Sequence, residues 1–260
     1  MSARSALRSP RAVTSEGATL IIGAGGGIGA ALTRRLAASG RKLVLASRDL
    51  THVAPLAEEL GAEAVALDAR DLAAVEAVVA DVRARHGRLV GAVNLAGSIV
   101  LKAAHLTTPA EWADVVATNL TTAFALVRAA GGAMSRDGGG GSIVLLSSAA
   151  ARVGLANHDA IAAAKAGVIG LGASAAATYG PRGVRVNVVA PGLVRTPLSA
   201  RIVGNEASRK ASEAMHALGR IGEPDDVASM IAWLLDDAQG WVTGQVFGVD
   251  GGLGTVRARG

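Results

Sequence analysis

Short apolar runs alternate with longer stretches of helical periodicity along almost the whole chain. The runs ATLII (18–22), KLVLA (42–46), AVAL (64–67), LVGAVNLA (89–96), SIVLLS (142–147), VRVNVVA (184–190) and QVFGV (245–249) read as strands. Between them, helical spacing covers 27–39, about 49–60, about 71–86, Pro109 to about 130, about 158–179 and Pro224 to about 236. Proline is tolerated in a first helical turn, so Pro109 and Pro224 mark starts. GGGG (138–141) reads as a flexible connection, and 198–222 as a mostly polar, helical stretch. Alternation of this kind predicts an α/β fold: a doubly wound, parallel, seven-stranded sheet with helices on both faces and right-handed crossovers. With no internal repeat and no dividing linker, residues 17–256 are expected to form a single domain. Residues 1–16 are expected to be a disordered basic tail and 257–260 a second short tail.

Composition narrows the picture. Half of the residues are apolar, yet Phe124, Phe247, Tyr179, Trp112, Trp233 and Trp241 are the only aromatic ones. The core must therefore be built of Ala, Val, Leu and Ile, as suits buried parallel strands under Ala-rich helices. The formal charge of +5 is concentrated in the ends, where Arg4, Arg8, Arg11, Arg257 and Arg259 outnumber Glu16. The body is close to neutral, which argues against a nucleic-acid footprint. The chain has no cysteine, so neither a disulfide framework nor a thiolate metal site can form, and no metal site is expected. The Arg/Ser-rich start lacks the apolar segment of a secretory signal, and no run approaches 18 uninterrupted apolar residues. A cytoplasmic protein without membrane partners is the expectation.

The strongest chemical signal follows the first strand. Gly23-Ala24-Gly25-Gly26-Gly27-Ile28-Gly29 leads directly into a helix. A backbone that turns sharply, approaches a pyrophosphate and offers helix N-terminal amides to its charge needs residues without Cβ there. Strand, glycine turn and helix together read as a Rossmann-like dinucleotide site. Where an acidic residue at the end of the second strand would hold the ribose 2′-hydroxyl of NAD, this chain has Ser47-Arg48. A hydroxyl beside a guanidinium suits a 2′-phosphate, which points to NADP over NAD. Arg48 is also compatible with a solvated strand-end residue, and the neighbouring Asp49 with a contact to the adenosine ribose.

The spacing of Gly23, Gly27 and Gly29 resembles the short-chain dehydrogenase/reductase family, and the resemblance extends from about residue 17 to 255. Asp68-Ala69 stands where that family contacts adenine, and Asn94-Leu95-Ala96-Gly97 resembles its Asn-Asn-Ala-Gly strand end. Asn119 stands at its helical asparagine. Pro191-Gly192-Leu193-Val194-Arg195-Thr196 is similar to its nicotinamide-binding turn, and Val249-Asp250-Gly251-Gly252 to its C-terminal signature. Taken singly, Asp68, Asn94 and Asn119 also read as a cap, a loop hydrogen-bonder and a mid-helix polar group. The resemblance implies hydride transfer between a nicotinamide and a small carbonyl or alcohol substrate. It also implies a homo-dimer or homo-tetramer, which the Gly/Ala-rich faces around 112–130 and 158–178 permit.

The same resemblance exposes a gap. The family's proton donor is a tyrosine, thirteen residues after a substrate-holding serine and four before a lysine that also bonds the nicotinamide ribose. Ser148 fits the serine and Lys165 the lysine, but the position between is Ile161. The only tyrosine, Tyr179, lies fourteen residues beyond Lys165, roughly 21 Å along a helix, and reads as a packing residue. Three readings stay open. His158, one helical turn before Ile161, is a candidate general acid, with a solvated place after a cap at Asn157 as the alternative; Asp159 is a weaker one. The substrate can instead be an iminium ion or activated alkene that needs no strong acid. Or the protein binds cofactor without turnover, as a sensor or assembly partner. Leu198, Ile202, Val203, Met215 and Leu218 are candidates for an apolar substrate lid or for packing on the sheet.

Overall fold

The computed structural model describes residues 17–256, so both expected tails lie outside the described residues. Seven strands are formed: β1 (Ala18–Ile22), β2 (Lys42–Ser47), β3 (Glu63–Ala66), β4 (Leu89–Asn94), β5 (Gly141–Leu146), β6 (Val184–Pro191) and β7 (Val246–Val249). They lie in the order β3-β2-β1-β4-β5-β6-β7, and every neighbouring pair is parallel. Each central strand is buried on both faces because its aliphatic residues point alternately to two cores. Leu20, Ile22, Val44 and Ala46 pack on one side, while Ile21, Leu43, Leu45 and Val93 pack on the other.

Helices α1 (Gly27–Ala38) and α2 (Ala54–Leu60) contribute Leu32, Leu36 and Leu56 to the second core. Helix α3 (Leu72–His86) contributes Val75, Val79 and Val82 to the first, beginning at a cap in which the Asp71 side chain accepts from the Ala73 and Ala74 amides. A long helix, α4, runs over 109–137 and opens with a Thr108–Glu111 capping box. It passes the expected end near residue 130 because a π-turn at Val127–Gly131 carries it through two glycines to a left-handed cap at Gly138. Helix α5 (Asp159–Tyr179) follows β5 and also beds on the first core, through Val168, Ala175 and Ala176. It is apolar and long enough to cross a membrane by composition alone, and here its buried face covers the sheet.

After β6, the expected polar stretch folds as short helices α6 (Ala200–Val203) and α7 (Glu206–Met215), before α8 (Pro224–Leu235) leads to β7. Helix α8 buries Val227, Ile231 and Leu234 in the second core, beside α1. This departs from the uniform handedness expected. The connections β4→β5 and β5→β6 step along the sheet over one face, but β6→β7 steps in the same direction over the other, and so has the opposite hand. The usual preference arises where a twisted strand feeds its helix, and about thirty residues between β6 and α8 instead give the chain room to pass over the sheet edge first.

Two polar residues of β6 fasten that late crossover. Arg185, only 8% exposed, donates to the carbonyls of Leu234 (2.9 Å), Asp236 (3.1 Å) and Val242 (3.4 Å), and Asn187 Nδ2 donates to Val242 O at 2.9 Å. The guanidinium thus satisfies carbonyls at the end of α8 that have no helical partner. Leu234 O keeps a donor in Ser142 Oγ, Val242 O keeps Asn187 Nδ2 and Asp236 O keeps the Gln239 amide, so replacing Arg185 removes its own bonds without stranding an acceptor, and Arg185→Met is expected to cost about 2 kcal/mol in urea-denaturation stability.

Candidate active site

The strand order reverses between β1 and β4, so the loops leaving their carboxyl ends diverge and open a crevice there. Two adjoining cavities occupy it, of about 250 Å³ and about 140 Å³, and they share Leu95, Gly97 and Leu198 in their walls.

The larger cavity lies over the glycine turn. Gly23 has φ +81°, and a Cβ there would stand 2.8 Å from the Leu95 backbone. A Cβ at Gly27 would meet Thr196 Cγ2 at 2.9 Å, and one at Gly29 would meet Gly23 O at 2.5 Å. Glycine is needed at the first for its backbone conformation and at the other two for space. No side chain caps α1 and its first turn carries no acid, so the amides of Gly27, Ile28 and Gly29 are left for an external anion. Asn94 ties the neighbouring strand end. Its Oδ1 accepts from Ala96 N (3.1 Å) and its Nδ2 donates to Thr122 Oγ1 (3.0 Å).

At the far side of this cavity stand Ser47, Arg48, Asp68, Ala69 and Arg70. Arg48 is exposed and forms no ion pair among the described residues. Asp49 turns away: its Oδ1 accepts from Thr51 N (2.8 Å) and Thr51 Oγ1 (2.6 Å), bonds that hold its carboxyl below the usual range. Asp68 is gripped by the Arg70 guanidinium and amide, which lower its pKa to about 2. Ala69 beside it is buried.

The smaller cavity gathers Asn119, Ser148, Ile161 and Lys165 with Ile28, Ile99, Pro191, Gly192, Val194 and Thr196. Asn119 sits in a π-turn (Ala117–Thr121) that widens α4. Its Nδ2 donates to Val115 O and to Ser98 Oγ, both at 3.0 Å, while its Oδ1 accepts from Ser98 N at 3.1 Å, stapling the loop after β4 to the helix. Lys165 Nζ donates to Leu146 O at 2.8 Å, and Ser147 Oγ at the end of β5 donates back to Lys165 O at 2.8 Å. Burial lowers the Lys165 pKa to about 8. Ser148 Oγ accepts from Ala150 N at 3.2 Å. Ile161 is 5% exposed and packs with Val115, Ala160 and Ala164.

His158 is not brought to this wall. It occupies the cap position of α5 with Nδ1 2.8 Å from Ala156 O, and Asn157 takes a left-handed backbone (φ +62°) instead of capping the helix. Tyr179 lies at the opposite end of α5, where its ring leaves no room for a Cβ at Gly131 of α4. Of the candidate lid residues, Leu198 reaches both cavities, whereas Met215 and Leu218 are exposed.

The sequence reading missed His216, which is 3% exposed. Its Nε2 accepts from Leu193 N (3.2 Å) inside the Pro191–Thr196 turn, and its Nδ1 donates to Ser212 O (2.6 Å) on α7. Those two bonds require the neutral tautomer protonated on Nδ1. Ser199 was missed too; it donates to Val194 O and exchanges hydrogen bonds with Thr196 across the end of the same turn. The one sequence signal for it is that His216 is the lone histidine of the stretch 198–222.

A family model described as enoyl-(acyl carrier protein) reductase matches residues 23–254. The chain is similar to the inactive 2-(S)-hydroxypropyl-CoM dehydrogenase 2 of Xanthobacter autotrophicus, with 35% identity over 86% of this chain and 100% of the relative. Among solved structures it is similar to a short-chain type dehydrogenase/reductase from Mycobacterium ulcerans, with 33% identity, a TM-score of 0.87 and coverage of 94% and 91%. It is also similar to an actinorhodin polyketide ketoreductase solved with NADPH, at 30% identity, a TM-score of 0.85 and coverage of 92% and 98%.

His216→Ala strips the half-buried Leu193 amide of its acceptor. The expected outcome is a stability loss of about 2 kcal/mol in chemical denaturation. Weaker dinucleotide binding is expected with it, read by fluorescence titration, because the turn is no longer held to α7.

Proposed function

The chain belongs to the short-chain dehydrogenase/reductase family, and on that premise we propose that it is an NADP(H)-dependent oxidoreductase with nonstandard proton supply. The reaction is hydride transfer to a carbonyl, an imine or an activated alkene. The observation that carries this reading is the shared wall. Ser148, Asn119 and Lys165 surround a small cavity that opens, through Leu95, Gly97 and Leu198, onto the glycine turn, while Ile161 stands at the tyrosine position.

The residues present fit the cofactor. Gly23, Gly27, Ile28 and Gly29 offer a pyrophosphate a close backbone and uncapped amides. Ser47 and Arg48 receive the 2′-phosphate, a role favoured by the engagement of Asp49 with Thr51. Asp68 and Ala69, in the wall of the larger cavity, would receive the adenine, and Asn94, Ala96 and Gly97 would support the dinucleotide from the end of β4. Pro191, Gly192, Val194 and Thr196 hold the carboxamide, and Lys165 the ribose. Bound in this way, the reduced nicotinamide supplies the hydride.

Ser148 orients the substrate oxygen or nitrogen, and the apolar Ile161 and Leu198 keep water from it. Asn119 acts at one remove by fixing the loop of Ser98. The place of His158 outside the wall and its contact with Ala156 O favour a helix-start role over a catalytic one. The exposed Trp112 and Phe124 on α4 suit burial in a homo-dimer or homo-tetramer.

Turnover assays with NADPH across ketones, imines and enones test the reading. Hydride transfer to at least one class is expected, and tight NADPH binding without any transfer overturns it. Arg48→Glu is expected to weaken NADPH binding roughly 10- to 100-fold while sparing NADH, measured as dissociation constants for both. His158→Ala is expected to leave the rate within about twofold, whereas general-acid loss costs about 10²-fold or more.

A further inference from the structure

We infer that Lys165 is itself the proton donor of the reaction, giving a proton from Nζ to the oxygen of a carbonyl substrate held at Ser148. This rests on the oxidoreductase reading above and adds to it the identity of the acid.

The wall of the smaller cavity carries the argument. Among the described residues that line it, Lys165 is the only one whose side chain titrates between mild acid and mild alkali. Ser148 and Thr196 have hydroxyls far too weakly acidic to yield a proton unaided, Ser148 Oγ already accepts from Ala150 N, and His158 lies outside the wall. Any proton delivered inside this cavity by the protein therefore starts from Lys165.

The surroundings of Nζ favour that role. One of its three N–H bonds is spent on Leu146 O, and it forms no ion pair with a carboxylate among the described residues. Gly97 leaves the space beside it open: a Cβ at that position would stand 3.6 Å from Nζ. Ile161, on the same helix one turn earlier, brings no polar group between the ammonium and the cavity. Desolvation completes the arrangement, since it destabilises the ammonium and brings its pKa to about 8, close to the range in which a general acid works best.

The step balances. As the carbonyl carbon takes hydride from NADPH, the C=O electron pair moves onto oxygen, and that oxygen takes a proton from Lys165 Nζ. The substrate is reduced to an alcohol, NADPH is oxidised to NADP, and the neutral amine regains its proton from solvent. Only the ammonium form donates, so the rate of reduction falls as pH rises through the Lys165 pKa.

The experiment compares wild type with Lys165→Arg and Lys165→Ala, using whichever ketone or aldehyde wild type reduces with NADPH. Arginine keeps the charge but does not release its proton near neutrality. Single-turnover reduction is expected to fall at least 10²-fold in Lys165→Arg and to lose its alkaline limb. NADPH dissociation constants, read by fluorescence, are expected to stay within about tenfold of wild type. In Lys165→Ala, added methylammonium is expected to restore part of the rate. Folding of both variants is checked by circular dichroism, and if arginine unfolds the site, the rescue of the alanine variant decides. A Lys165→Arg enzyme that keeps the wild-type rate and pH profile, or a folded Lys165→Ala enzyme that methylammonium does not rescue, overturns the lysine donor and leaves the oxidoreductase reading standing. A wild-type protein that reduces imines but no carbonyl overturns the lysine donor alone, and one that binds NADPH without reducing anything overturns both.

Discussion

How closely helix α5 lies on the sheet decides where the Lys165 ammonium and the end of β5 stand. A Cβ at Gly172 would meet Val188 of β6 at 2.5 Å, and one at Gly167 would meet Leu120 of α4 at 2.8 Å, so two glycines on α5 set its distance from both neighbours. That approach brings Lys165 within 2.8 Å of the Leu146 carbonyl and lets Ser147 bond back to the helix. Strand end and helix are thereby fixed to one another by reciprocal hydrogen bonds rather than by loop contacts. The ammonium is buried by the same approach, and its lowered pKa is a consequence of packing before it is a feature of chemistry.

The other wall is set by a departure from regular helix. The π-turn at Ala117–Thr121 places Asn119 where it can take both the Val115 carbonyl and the Ser98 side chain. With Asn94 tying Ala96 to its own strand end, two asparagines hold the β4 loop between the glycine turn and the smaller cavity. Each is at most 3% exposed, so their hydrogen bonds are shielded from water and correspondingly firm. The two cavities of the crevice are joined by this loop, through Leu95 and Gly97.

Most of the architecture was legible because the parallel sheet is buried on both faces. Its strands are therefore unbroken apolar runs, and all seven appear within a residue or two of where the runs lie. The strand after Asn94 ends early because Leu95 and Ala96 turn into the crevice, which hydrophobicity cannot reveal. The turn after β1 was legible through its glycines, which the backbone needs at Gly23 for its conformation and at Gly27 and Gly29 for space. What could not be read were matters of long-range placement. The second helix starts at Ala54 rather than near residue 49 because Asp49 and Thr51 close a turn of their own. His158 is one turn from Ile161 in sequence, yet the helix start directs it elsewhere. His216 matters only because α7 folds over a turn more than twenty residues earlier, and no local pattern encodes that. The face on which α8 would settle was equally invisible, being chosen by the free length before it.

That last choice has a consequence for how the protein comes into being. Helix α1, which carries the glycine turn, is buttressed along its length by α8, and Arg35 and Asp225, paired at 2.5 Å, are 190 positions apart in the chain. A nascent polypeptide has synthesised its glycine turn long before the helix that supports it leaves the ribosome. Local β-α-β units can form as they emerge, but the crevice is finished only when about the last quarter of the chain has crossed the sheet edge and docked. The protein thus becomes competent for its nucleotide at the end of translation rather than along the way, and until then its second core face stands open to the cell's chaperones.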